Sequence, residues 1–178
     1  DPFETAVCTI LGQLVSTEQA ARLTKQLVSN YGEKIVNPLS GETSYLFPSL
    51  KTLAKESFTK IGTTQARKNA IREFARHILE GTLSLESTQD PFAFKKALLN
   101  IKGIGPWTAE YISLRALGDT DAFPHTDLIL KRVVDTHSDL NVECVKPWRA
   151  YAAIYLWKEY AEPLSNKKKK GKSHDSLL

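Results

Sequence analysis

The chain reads as an all-α protein, about eight helices joined by short loops in a compact bundle. Three observations support that fold class. Apolar residues recur at helical spacing along the chain. Helix-starting and helix-stopping residues punctuate them at intervals that suit ordinary helices. No convincing pair of alternating strands interrupts them. At 178 residues, the chain has the size of one domain with room for a real core.

Taken in order, Phe3, Ala6, Val7, Ile10, Leu11 and Leu14 mark a first helix. Residues 12–16 interrupt it, and Ser16 with Gln19 reads as a capping box for a second helix. Ala20, Leu23, Thr24, Leu27 and Val28 carry that helix to Tyr31, and Gly32 stops it. Residues 37–48, punctuated by Pro and Gly, read as a loop. A short helix is expected over 49–56 and a longer one over 64–79, ended by Gly81. Asp90-Pro91 opens another, with proline at its first position, that runs to about 100. After residues 101–106 a helix is expected over 107–117, then a loop over 118–126. Thr126 is the expected cap of a helix reaching 134. Pro147 opens the last helix, which is expected to end near Tyr160. No internal repeat is visible.

Composition narrows the classes. There are two cysteines, Cys8 and Cys144, and no C-x-x-C pair. That excludes a disulfide framework, a four-cysteine zinc site and an iron–sulfur cluster built on this chain alone. A reducing, intracellular compartment is the simplest reading. No apolar run approaches membrane-spanning length, and no signal peptide opens the chain. Asp1 stands where a methionine would begin a chain, which reads as a fragment or a processed form. The net charge of +4 is concentrated in one place. Lys167, Lys168, Lys169, Lys170 and Lys172, set against Asp175, account for all of it, so the folded body is near neutral. A lysine run of this kind is most often a solvated tail. Its other readings are added non-specific affinity for nucleic acid and a nuclear address.

The densest motif is LLNIKGIGPWTAEY over residues 98–111. Two glycines two apart, Gly103 and Gly105, let the backbone turn sharply and come close to a ligand. The helix that follows points its first N–H groups at the same spot, an arrangement that suits phosphate. A hairpin between two helices can grip a nucleic-acid backbone without reading sequence. On the turn alone, two glycines joining packed helices is an equally good reading.

Gly118, Pro124 and Asp127 follow the hairpin. This constellation resembles the helix-hairpin-helix/Gly-Pro-Asp superfamily of base-excision DNA glycosylases. In that superfamily the catalytic aspartate follows the second hairpin glycine at the spacing seen from Gly105 to Asp127, 22 residues. Asp135, in the similar-looking Asp135-Thr136-His137, lies 30 residues along and is too far. Arg132, five residues after Asp127, also fits the pattern. Further segments are similar to the 3-methyladenine DNA glycosylase II family: Asp1-Pro2-Phe3-Glu4, ILGQLVS over 10–16, Trp107-Thr108-Ala109 with Tyr111, Asp121 with Phe123, Lys146-Pro147-Trp148-Arg149 with Tyr151-Ala152, and Trp157. The match is collinear over 1–157.

The resemblance implies a helix-hairpin-helix glycosylase fold. It places a catalytic domain over 1–162, the hairpin at about 91–117, and a flexible Lys-rich tail over 163–178. It implies a monofunctional glycosylase that flips alkylated bases of the 3-methyladenine and 7-methylguanine type out of duplex DNA. Hydrolysis then leaves an abasic site, the first step of base-excision repair. The partner would be double-stranded DNA and the protein a monomer, in the cytoplasm or nucleoid of a bacterium or the nucleus of a eukaryote. The bacterial family members carry a mixed α/β lobe before this region that contributes to the pocket. With Asp1 as the first residue, the pocket is expected to be more open or completed by a further segment. Two alternatives stand beside this: a glycosylase for another damaged base such as a deaminated purine, and a non-catalytic DNA-binding hairpin module.

Roles follow residue by residue. Asp127 would be the catalytic carboxylate, stabilising the positive charge that develops on the sugar and orienting or deprotonating water. Its plainer reading is a helix-start carboxylate that satisfies first-turn N–H groups and pairs with Lys131. Trp107 stands where bifunctional relatives hold a lysine, and tryptophan cannot form a Schiff base. Lys102 is on the other side of the turn. Trp107, Tyr111 and Trp157 would form the base pocket, an electron-rich wall that attracts the cationic ring of N3- or N7-alkylated purines. Core packing is the plainer reading of such an aromatic stripe. Leu14 would be the wedge inserted where the flipped base leaves the stack, with Gln13 beside it near the orphaned base; ordinary core is its other reading. Gly103, Gly105 and Thr108 would meet the DNA backbone. Leu128, after the aspartate, is aliphatic. His125 and His137 lack ligand spacing and read as structural. No cofactor is expected, and the resemblance leaves open a backbone-bound monovalent cation in the hairpin.

Deleting Lys167 to Lys172 is expected to flatten the salt dependence of DNA binding and to leave the single-turnover rate of base release little changed. Titrations at several salt concentrations check this, and a large rate loss at saturating protein would refute the tail reading.

Overall fold

The computed structural model describes residues 1–86, 90–137 and 139–160 in full, and residues 161–172 as helical backbone. The chain divides into two compact units, Asp1–Gly118 and Asp119–Leu178. In the first, the other helices gather on α1 (Pro2–Leu11). Asp1 starts that helix by accepting from the N–H groups of Phe3 at 2.7 Å and Glu4 at 3.4 Å. Pro2 fills the first position, where no N–H is needed. Ala6, Val7, Ile10 and Leu11 are fully buried.

Packed on α1 are α2 (Thr17–Tyr31), α4 (Gln65–Leu79), α6 (Pro106–Ile112) and the π-helical turn Ser113–Leu117. Helix α3 (Leu50–Lys55) lies on α4, and α5 (Pro91–Leu99) lies on α6. Asp90 caps α5 as Asp1 caps α1, accepting from Phe92 and Ala93 with proline at the first position. Phe58, Phe74 and Phe94 are the largest fully buried side chains. Phe3 stacks on Phe74 with ring centroids 6.2 Å apart. In the second unit α7 (Leu128–Thr136) packs on α8 (Arg149–Lys172), Leu130 and Val133 of the one and Ala153 and Leu156 of the other being buried, with a 3-10 turn at Val142–Val145.

The helices appear where the sequence places them, with four corrections. First, a strand pair is present: β2 (Thr43–Tyr45) lies within the loop expected over 37–48 and pairs antiparallel with β1 (Lys34–Val36), Lys34 opposite Tyr45. Three-residue strands, exposed throughout, are too short to show an alternating apolar pattern. Second, the helix expected over 107–117 changes to π geometry at Ser113 and ends at Gly118, whose φ of 71° is left-handed. Third, the cap of α7 is Asp127, not Thr126. Fourth, Pro147 precedes α8 rather than opening it, and the backbone helix passes Tyr160 to reach Lys172. The remainder of the Lys-rich tail, 173–178, and the side chains of Lys167 to Lys172 lie outside the described residues. The capping box at Ser16 is half formed: Ser16 Oγ accepts from the Gln19 N–H, but the Gln19 side chain accepts from Arg22.

Phe74→Ala removes the ring at the centre of the first unit and is expected to destabilise it by about 3–5 kcal/mol, measured by denaturant unfolding.

Candidate active site

The hairpin and the loop after α1 form one cluster in the first unit. Gly103 has φ 97°, and a Cβ there would stand 3.2 Å from the Ala70 Cβ and 3.4 Å from the Ala66 carbonyl oxygen. Both the backbone conformation and the close approach to α4 therefore require glycine. Gly105 is different. Its φ is −95°, and nothing lies within 4 Å of the place a Cβ would take. It faces open space at the start of α6, which has no side-chain cap.

Gln13 reaches into this turn. Its Nε2 donates to the Gly103 carbonyl at 3.0 Å and to Thr108 Oγ1 at 2.9 Å. Arg67 of α4 donates through one guanidinium nitrogen to the Gln13 carbonyl and through another to Thr63 Oγ1 at 3.2 Å. Between these ties Leu14 stands 99% exposed at φ 53°. Left-handed backbone costs a leucine roughly 1–2 kcal/mol. An apolar side chain held there and fully wetted is not core, which removes that reading of Leu14.

One expectation changes at this cluster. Thr108 is 3% exposed, with its hydroxyl turned to Gln13, so its side chain is internal and not a surface contact. The Gln13 amide nitrogen is engaged with the hairpin, so the residue ties two loops together. Trp107 and Tyr111 do share a face: their rings stack with centroids 5.0 Å apart and planes 21° from parallel. Both are half-buried.

In the second unit Asp127 and Trp157 meet. Asp127 Oδ1 accepts from the N–H groups of Ile129 and Leu130, each at 3.0 Å, and from Trp157 Nε1 at 3.1 Å. The carboxylate is therefore both the cap of α7 and the acceptor of an indole from α8. Helix-cap geometry and a site role are compatible, because the cap fixes where the carboxylate sits. Arg132, one turn along, donates to the Tyr160 hydroxyl at 2.7 Å. Trp157 thus has a polar partner as well as an aromatic surface. Asp135 is exposed in the last turn of α7, and His137 caps that helix with Nδ1 2.9 Å from the Val133 carbonyl. His125 is exposed beside the Phe123 ring. Leu128 is 78% exposed.

One tie joins two of the quoted segments, and sequence reading did not foresee it. Arg149, at the start of α8, donates to both carboxylate oxygens of Asp121 at 2.8 and 2.7 Å and to Glu143 at 2.8 Å. The Ala150 N–H also reaches the Thr120 carbonyl at 2.9 Å. This clasp fastens the segment that leads into Asp127 onto the helix that carries Trp157. Arg149 holds the Asp121 carboxyl below the usual carboxylate range, chiefly through the hydrogen bonds and with partial burial opposing. Lys146 does the same for Glu143, helped by Arg149.

A helical unit built on α1, with a Gly-x-Gly hairpin between α5 and α6, is similar in fold to solved DNA glycosylases. A Clostridium acetobutylicum 8-oxoguanine glycosylase/lyase, solved with duplex DNA, matches at a TM-score of 0.73 and 19% identity, over 92% of this chain and 60% of that one. In sequence, the chain is 34% identical to DNA-3-methyladenine glycosylase 2 of Escherichia coli over 165 residues. It is 33% identical over 177 residues to a Mycobacterium tuberculosis protein named as a probable bifunctional transcriptional activator/DNA repair enzyme AlkA. Over most of its length the chain is thus similar in sequence to DNA-3-methyladenine glycosylases. These matches take in 88% and 93% of this chain, but 57% of the Escherichia coli protein and 35% of the Mycobacterium tuberculosis protein. No family model matches the chain. Among the described residues, no helix is long and apolar enough to cross a membrane.

Because folding lowers the Asp121 pKa, its contribution to stability is present above the unfolded value and is lost as pH falls through the folded one. The unfolding free energies of the wild type and Asp121→Asn should therefore differ by a steady amount from neutrality down to about pH 5, and the gap should close below about pH 4. Denaturant titrations at stepped pH read this directly.

Proposed function

We propose that the chain is the catalytic region of a monofunctional DNA glycosylase that removes alkylated bases from duplex DNA. The observation that carries this reading is the Asp127 carboxylate, fixed by two backbone N–H groups and the Trp157 indole, at the family's spacing from the hairpin. The relatives' names and the fold support the same reading.

The chemistry follows from the groups present. The bond between the sugar C1′ and the base nitrogen breaks with its electron pair leaving on the base. A 3- or 7-alkylated purine is cationic in DNA, so it departs as a neutral base. Positive charge develops on the sugar, where a fixed carboxylate opposes it without having to reorganise. Water adds its oxygen to C1′ and loses a proton to Asp127 and then to solvent, which leaves an abasic site. Trp157 Nε1 sets the direction of the carboxylate. Trp107 and Tyr111 offer a stacked aromatic pair suited to a cationic ring. Gly105 and the uncapped start of α6 suit a phosphate. Strand cleavage would need an amine nucleophile, and the position used for it in bifunctional relatives holds Trp107. A monovalent cation in the hairpin would be held by main-chain carbonyls. Those of Ile101 and Gly103 each already accept one N–H and retain a second lone pair for an ion.

The test is base release from methylated duplex DNA, with and without hot alkali afterwards. Wild-type protein should release 3-methyladenine and 7-methylguanine, with strand breaks only after alkali. Asp127→Asn should lower the single-turnover rate by about a hundredfold or more while duplex binding persists. Equal activity in the variant would remove Asp127 from the mechanism, and breaks without alkali would remove the monofunctional assignment.

A further inference from the structure

Two features of the first unit are separate in sequence and joined in space. One is the exposed leucine at the end of the loop after α1. The other is the glycine turn of the hairpin, 89 residues later between Leu14 and Gly103. The Gln13 amide links them directly, with its nitrogen on the Gly103 carbonyl and the Thr108 hydroxyl. Helix α4 links them a second time. Ala66 and Ala70 form the surface on which Gly103 rests, and Arg67, between them in sequence, donates to the Gln13 carbonyl. The loop and the hairpin thus stand on one helix and are also tied to each other.

We propose that Gln13 and Arg67 are positioning residues for the opening of the duplex. They couple the grip on the DNA backbone at the hairpin to the insertion of Leu14. The inference rests on the glycosylase reading given above. Its physical basis is mechanical. A wedge can separate stacked bases only if its mount does not yield, and Leu14 makes no burial contacts of its own to brace it. Left-handed backbone at Leu14 would relax toward the extended or helical regions unless its neighbours held it. The Gln13 carbonyl, the group adjoining Leu14 on its N-terminal side, is the one that Arg67 fixes. Loss of Arg67 should therefore leave the hairpin able to hold DNA but let the wedge swing.

The experiment compares wild type, Arg67→Ala, Arg67→Lys, Gln13→Ala, Leu14→Ala and the double variant Leu14→Ala/Arg67→Ala. Three quantities are read: affinity for undamaged duplex, the fluorescence of 2-aminopurine placed opposite a stable abasic analogue, and the single-turnover rate of 7-methylguanine release. Arg67→Ala should keep undamaged-duplex affinity within about twofold while the fluorescence rise and the release rate fall by about tenfold, the size of effect expected for part of an extrusion step. Arg67→Lys should recover most of both. Gln13→Ala should lose both and also weaken duplex binding, because it frees the hairpin carbonyl. In the Leu14→Ala background Arg67→Ala should add little, since the wedge it holds is gone. Release of a lesion paired opposite a gap, where extrusion is nearly free, should be insensitive to Arg67.

Full additivity of the Leu14 and Arg67 losses would overturn the proposal. So would an equal loss on the paired and gap-opposed lesions, which would mark general damage to the fold; thermal unfolding of each variant identifies that case. The 2-aminopurine signal needs no base release. A protein that opens the duplex in an Arg67-dependent way but releases no base would leave this inference standing and sink the glycosylase reading.

Discussion

The first unit depends on the burial of one helix. In α1, Ala6, Val7, Thr9, Ile10 and Leu11 are all buried, and Thr9 satisfies its hydroxyl by donating to the Thr5 carbonyl at 2.8 Å. A helix so enclosed leaves its chain one narrow way out. Gly12 sits at that exit, where a Cβ would come within 3.2 Å of the Cys8 carbonyl oxygen and 3.4 Å of the Ala20 Cβ. The chain then emerges abruptly, and two residues later Leu14 is fully in solvent. The exposed loop is thus joined to the core over a very short span, as the proposed wedge requires.

The second unit solves a related problem with charge instead of burial. Asp127 must hold a carboxylate at a fixed place near the protein surface. Starting a helix does this, since the first-turn N–H groups are directional donors that the fold supplies anyway. The indole of Trp157 adds a donor from α8. The clasp of Arg149 on Asp121 and Glu143 secures the strand of chain between Gly118 and Asp127 on the same helix. On the proposed reading, capping and chemistry draw on one geometry. The readings of Asp127 as a helix cap, which the structure shows, and as a site residue, which is proposed, do not exclude one another.

Legibility in the sequence follows the range of each interaction. The starts of α2 at Ser16 and of α5 at Asp90 were readable because a cap is settled by residues within one turn. So were Gly103 and the Trp107–Tyr111 pair, whose contacts are made close by. The strands at Lys34–Val36 and Thr43–Tyr45 were not, since three exposed residues have no buried face to impose alternation. The π turn at Ser113 leaves the apolar spacing of a helix almost unchanged, so periodicity passes over it. The ties of Gln13 to Gly103, Arg67 to Gln13 and Arg149 to Asp121 span long stretches of chain, and no local pattern announces them. Gln13 and Thr108 stood out by family likeness, but their joint role became visible only when their side chains were seen to face each other.

The acceptors chosen at the loop after α1 have an evolutionary corollary. Arg67 fastens on the carbonyl of Gln13, and Gln13 fastens in part on the carbonyl of Gly103. A main-chain carbonyl is carried by every residue, so these acceptors survive substitution at the positions that bear them. Leu14 itself takes no part in the anchorage. Its side chain is free to drift among shapes and sizes while the mount stays intact, and, if it is the wedge proposed, a lineage can retune what enters the duplex without rebuilding what holds it.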